Sequence, residues 1–174
     1  QCCSHARMEG EGCQFENRRA RGGAPHYTGI MLPAGLKERV QALLGPRVYL
    51  DQPEDLALYE YDGGVDKARP DIVVFPRTTE QVAAIVKIAA EFQTAFLGRG
   101  AGTGLSGGAI PTEGGVMIAF ARMNRILEVD FENERAVVEP GVVNLDITLA
   151  AEGRGYFYAP DPSSQKACTV GGNV

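Results

Sequence analysis

From Gly98 to Gly108 the chain reads Gly-Arg-Gly-Ala-Gly-Thr-Gly-Leu-Ser-Gly-Gly, with glycine at six of eleven positions. Without Cβ atoms in the way, backbone N–H groups in such a loop can approach a ligand closely. Successive N–H groups form a concave nest suited to an anion, and a pyrophosphate is the natural candidate. Arg99, Thr103 and Ser106 add side-chain donors for phosphate oxygens. The stretch Gly102-Thr103-Gly104-Leu105-Ser106-Gly107 formally fits the dinucleotide pattern G-x-G-x-x-G. That pattern works only where its last glycines open a helix, whose N-terminus then holds the pyrophosphate. Here Pro111, Gly114 and Gly115 follow, and then a strand-like run, so the context fails. A P-loop requires Gly-Lys-Ser/Thr, and the run contains no lysine. A glycine loop without a ligand is the plain alternative. Its density directly after a buried strand favours a ligand.

Other reactive side chains are few. The cysteines are Cys2, Cys3, Cys13 and Cys168, and both histidines, His5 and His26, sit in the first thirty residues. Their spacing fits no structural zinc pattern. Three cysteines crowded at one end do not form a disulfide framework, which points to a reducing, cytoplasmic setting. From Met31 to Val174 there is no histidine, so no histidine acid, base or metal ligand is available there.

The loop must be positioned by the elements around it. Leu36, Val40, Leu43 and Leu44 recur at helical spacing and stop at Gly45-Pro46. A short helix is expected after Pro53, carrying Leu56 and Tyr59, with Asp62-Gly63-Gly64 as the loop that ends it. Ile72 to Phe75 reads as a buried strand closed by Pro76. Thr78 or Thr79 can cap a helix through Val82, Ile85, Val86, Ala89 and Phe92. Thr94 to Leu97 is then a second strand, and together these make a parallel β-α-β unit. Beyond the loop, Val116–Phe120, Ile126–Val129 and Arg135–Val138 read as three short strands. Asn144 can cap a helix holding Leu145, Leu149 and Ala150. The fold class expected is α+β: a small parallel β-α-β unit followed by a second mixed sheet, truncated.

A formal charge of −5 over 174 residues, with no basic run interleaved with aromatics, argues against nucleic acid. No apolar stretch is long enough to span a bilayer, and no signal-peptide core is present. Residues 1–30 lack apolar periodicity and are expected to be a disordered or non-native leader, with the natural start at Met31.

Four segments in order carry a family resemblance: Val74-Phe75-Pro76-Arg77-Thr78-Thr79-Glu80-Gln81-Val82, Gly98 through Pro111, Pro140-Gly141-Val142, and Pro160 through Val174. With them the sequence resembles FAD-linked oxidases of the vanillyl-alcohol oxidase and p-cresol methylhydroxylase type. It is most similar to the glycolate oxidase flavoprotein subunit and the D-lactate and D-2-hydroxyacid dehydrogenases. The resemblance implies that residues 31–174 are the N-terminal part of an FAD-binding domain, with the remainder and a cap domain beyond. It assigns the FAD pyrophosphate to Arg99, Gly100, Ala101, Gly102, Thr103 and Gly104, with Gly107 and Gly108 closing the loop. It places Pro160, Asp161, Ser164, Cys168, Gly171 and Gly172 along the isoalloxazine ring and the rest of the diphosphate. The loop lacks the histidine that some relatives use to attach FAD, so non-covalent FAD is expected. Cys168 reads as a small buried hydrophobe.

The activity implied is oxidation of a 2-hydroxy acid, of glycolate or D-lactate type, to the 2-keto acid by hydride transfer to flavin. No catalytic residue is expected within these residues. Implied partners are an iron–sulfur subunit and a second flavin-domain-like subunit, through which the protein would associate with a membrane. The alternative is a non-catalytic flavin-binding subunit or an inactive truncated remnant. The flavin-dependent reductase of cell-wall precursor synthesis is a more distant relation.

Overall fold

The computed structural model describes residues 32–46, 48–160 and 162–173. The expected leader, with its three cysteines and two histidines, lies outside the described residues, as does Asp161. Helix α1 (Leu36–Leu44) buries Leu36 and Val40 and stops at Gly45, whose φ of 85° ends the helical path. Strand β1 (Tyr49–Leu50) follows, and then α2 (Pro53–Leu56), with proline in its first turn where no N–H is needed. Helix α3 (Thr79–Glu91) is capped as the sequence suggests. The Thr78 hydroxyl accepts from the Gln81 N–H at 3.3 Å, and the Gln81 side chain accepts from the Arg77 N–H at 2.7 Å.

Four strands form one sheet in the order β1-β2-β4-β3, with β2 at Ile72–Val74, β3 at Phe96–Arg99 and β4 at Val116–Ala119. Strands β2 and β3 each run parallel to β4, and β1 pairs antiparallel with β2. Alternation along the strands splits the core in two. Ile72, Val74, Val116 and Ile118 pack under α1 and α3 with Leu36, Val40, Ile85 and Ile88. Val73, Met117 and Ala119 face the other way, against Leu56 and Tyr59.

The α+β class therefore holds, with one rearrangement. The Val116–Phe120 run was expected to open the second sheet. It is instead the inner strand of the first: β2 and β3 pair with its two edges, while α1 and α3 on one face and the Leu56–Tyr59 layer on the other leave every residue of β4 buried. The mixed sheet is thus the first one. The second is the antiparallel pair β5 (Ile126–Asp130) and β6 (Arg135–Val138), with a register shift between Ile126 and Glu128. Helix α4 (Asn144–Ala151) buries Asn144, Ile147 and Ala151, whereas Leu149 is exposed. Apolar residues lie all round this helix, so periodicity alone did not fix its inner face. Among the described residues, no helix is long and apolar enough to cross a membrane.

Candidate functional site

The glycine loop leaves the C-terminal end of β3, at the edge of the sheet, and its shape is imposed from below. Arg99 is buried, and its guanidinium donates to the Tyr61 carbonyl at 2.8 Å and the Ala109 carbonyl at 3.2 Å. It also lies 5.5 Å from the centre of the Tyr59 ring. Burial pushes this guanidinium below its ordinary pKa, while Tyr59, Asp62 and Tyr61 pull it back up. An arginine stays charged through such a shift. The same burial pushes the Tyr59 hydroxyl up. The Arg99 side chain, expected to donate to a phosphate, is therefore engaged by protein carbonyls. A Cβ on Gly102 would overlap it, and Gly102 has φ +72°.

The second segment rests on a shelf. The Gly141 N–H donates to the Met123 carbonyl at 2.7 Å, and Glu139 beside it accepts two bonds from the Arg125 side chain and one from its N–H. Those bonds hold the Glu139 carboxyl below the usual range. On this shelf Val143 bridges Thr169, the Val170 N–H donates to Val142, and the Gly171 N–H donates to Pro140 at 2.8 Å. Asn144 was expected as a helix cap but sits inside α4. Its side-chain oxygen accepts from the Asn173 amide at 2.9 Å and its amide reaches the Pro160 carbonyl at 3.4 Å. Cys168 is a buried free thiol, 3.9 Å from that Asn173 amide.

The loop and the second segment face one another across a cleft of about 650 Å³. Of the residues singled out in the sequence, Gly100, Ala101, Gly102, Thr103, Gly104, Gly108, Ser164, Cys168, Gly171 and Gly172 line it. Arg99, Gly107 and Pro160 do not, and Asp161 is not described. The hydroxyl residues Thr103 and Ser106 also face the cleft. Among the described residues, the amides of Gly102, Thr103, Gly104 and Leu105 donate to no protein acceptor. They are free to bind an anion, as a nest requires.

Two features escaped the sequence reading. Thr169 lines the cleft, and its buried hydroxyl has no partner. Asp62 and Gly63, read only as a loop, support the glycine loop from beneath: the Gly63 N–H donates to the Gly104 carbonyl at 2.8 Å. The Asp-Gly-Gly run was the only sign of this.

A model of the family described as FAD binding domain matches residues 70–174. The chain is 42% identical over 145 residues to the glycolate oxidase subunit GlcD of Bacillus subtilis (strain 168), covering 83% of this chain and 31% of that protein. It is 42% identical over 135 residues to a D-lactate dehydrogenase of Anaerostipes hadrus, covering 77% of this chain and 27% of the relative. Among solved structures, p-cresol methylhydroxylase with substrate bound superposes with a TM-score of 0.62 at 29% identity, over 68% of this chain and 24% of that one. The chain thus spans less than a third of the length of these relatives.

Proposed function

The chain belongs to the FAD binding domain family, and from that premise we propose that residues 98–108 and 162–173 hold FAD for an oxidoreductase. Its substrate is a 2-hydroxy acid of glycolate or D-lactate type, and its product the 2-keto acid. The observation that carries this reading is the cleft itself, where two segments some sixty residues apart in sequence converge on one groove. The residues present fit the cofactor. Positions that a Cβ would leave pointing into open space, at Gly104 and Gly108, give its pyrophosphate room against bare backbone. Free loop amides supply donors for the phosphate oxygens, and the Thr169 hydroxyl lies buried and unpartnered between the two segments.

Bound FAD supplies a two-electron acceptor for the hydride on the substrate α-carbon. This chain's part is to bind and orient. Gly102 to Leu105 hold the diphosphate through backbone amides, and Thr103 and Ser106 add hydroxyls. Small residues at Ser164, Cys168, Gly171 and Gly172 let backbone lie flat against the ring edge. The glycine loop has no histidine to form a covalent link. The Bacillus relative is a subunit of glycolate oxidase, which supports assembly with partner subunits. An iron–sulfur subunit and a second flavin-domain-like one are the partners that the resemblance suggests. The cysteine pattern supports a cytoplasmic location.

Two measurements test the reading. Acid precipitation of the flavin-loaded protein should leave all flavin in the supernatant, and flavin in the pellet would refute non-covalent binding. Anaerobic addition of glycolate or D-lactate to the holoprotein should then bleach the oxidised flavin absorbance. Bleaching by neither acid would turn the proposal toward a non-catalytic flavin-binding role.

A further inference from the structure

We infer that Asp62 is a positioning residue that sets the geometry of the glycine loop for the FAD pyrophosphate, an inference that rests on the reading of the cleft given above. Asp62 is 7% exposed, an unusual setting for a carboxylate. Its two oxygens serve two segments. Oδ1 accepts from the Gly64 N–H at 2.7 Å and so fixes the turn on its own side. Oδ2 accepts from the Gly107 N–H at 3.2 Å, forty-five residues away, where the loop backbone has φ +76°. Between these two bonds the Gly63 N–H holds the Gly104 carbonyl. A Cβ on Gly63 would stand 2.9 Å from that oxygen and 3.0 Å from the Thr103 carbonyl, so only glycine permits the approach. Arg99 closes the other end by binding the Tyr61 and Ala109 carbonyls.

The segment 61–64 therefore grips the loop at Gly104, Gly107 and, through Arg99, Ala109. Gly107 is absent from the cleft wall, while Gly104 and Gly108 on either side of it belong to that wall. Asp62 touches the loop's outer side and acts on the cofactor only through it.

Charge alone argues the opposite way, which makes the role decidable. A carboxylate behind an anion-binding loop repels a pyrophosphate, and the field of Arg99 offsets this. If charge dominated, Asp62→Asn would tighten FAD binding. If geometry dominates, the same change weakens it, because the two N–H groups meet different carboxylate oxygens and the NH2 group that replaces one of them is a donor. A half-buried N–H that faces another donor in place of an acceptor loosens the loop's attachment at Gly107.

The experiment titrates FAD into apoprotein of the wild type, Asp62→Asn and Asp62→Ala, and follows flavin fluorescence. ADP serves as a competitor that carries the pyrophosphate without the ring. The expected result is an FAD Kd raised about tenfold in Asp62→Asn and further in Asp62→Ala. The ADP competition constant should rise by the same factor. Unchanged or tighter FAD binding in the folded Asn variant overturns the inference. Should the Asp62 variants fail to fold, Gly63→Ala presses on the same loop carbonyls with the carboxylate intact. The same loss is expected there, and unchanged affinity overturns the inference equally. If ADP does not compete even in the wild type, the pyrophosphate reading of the cleft falls and takes this inference with it. Equal competition by ADP in wild type and variants sinks the role of Asp62 alone.

Discussion

Alanine at Gly115 is expected to destabilise the domain by about 3 kcal/mol, combining the strain of a left-handed alanine with the cost of overpacking. Gly115 directly precedes β4, the inner strand of the sheet, with φ +79°. Its new Cβ would overlap the Ala95 carbonyl oxygen and stand 2.8 Å from the Ala95 carbonyl carbon. That carbonyl cannot retreat, since it accepts the Val116 N–H at 2.9 Å and so starts the pairing of β3 with β4. On its other side the Gly115 carbonyl accepts from Asp71 and Ile72, and its N–H is held by the Asp71 carboxylate at 2.6 Å. Both neighbours of the inner strand therefore depend on one residue. Urea unfolding measures the effect. Gly153→Ala serves as the control, because nothing stands within 4 Å of its added Cβ and its φ is ordinary. A Gly115 variant as stable as the Gly153 variant would mean that the sheet does not pivot on this residue.

What the sequence made legible follows from how local each signal is. Helix α1, the α3 cap at Thr78 and strand β2 rest on periodicity, capping chemistry and breakers within a few residues of themselves. The glycine loop was legible for the same reason, since backbone freedom and amide density are written in its composition. Strand order was not. That Val116 pairs with both Ile72 and Phe96 is a long-range choice: a strand apolar on both faces belongs inside a sheet covered on both sides, and both of its edge neighbours lie far from it in sequence. Strand β1, two residues long, has too little pattern to be seen at all. In the site, the sequence named most of the cleft wall but not what holds it in place. Nothing in the type of Arg99 says whether its guanidinium will meet a phosphate or the carbonyls of Tyr61 and Ala109; the fold decides it by closing over the side chain. Asp62 and Thr169 were missed because each works across a gap in sequence.

Alanine at Gly100 should weaken FAD binding by about 10- to 100-fold, the equivalent of 1–3 kcal/mol of overpacking drawn from the binding energy. Gly100 does not have a left-handed φ, so its backbone tolerates alanine and the effect is one of space. The added methyl would fall on the Thr169 hydroxyl and stand 3.0 Å from the Gly172 Cα and 3.2 Å from the Gly172 nitrogen. Gly100 belongs to the loop, while Thr169 and Gly172 belong to the facing segment, so the methyl acts as a wedge between the two walls of the cleft. The shelf beneath resists that wedge, because Thr169 bridges Val143 and the Gly171 N–H is bound to Pro140. Strain then goes into widening the groove, and the loop amides no longer reach a ligand seated against Gly171 and Gly172. A second change separates this account from general damage. Thr169→Ala removes the atom that the wedge strikes, so Gly100→Ala combined with Thr169→Ala should bind FAD better than Gly100→Ala alone. The coupling is read from a double-mutant cycle of FAD Kd values. Strict additivity would show that the two walls do not meet at these residues. A positive coupling would show that the loop at Gly100 and the facing segment at Thr169 press on one another across the cleft.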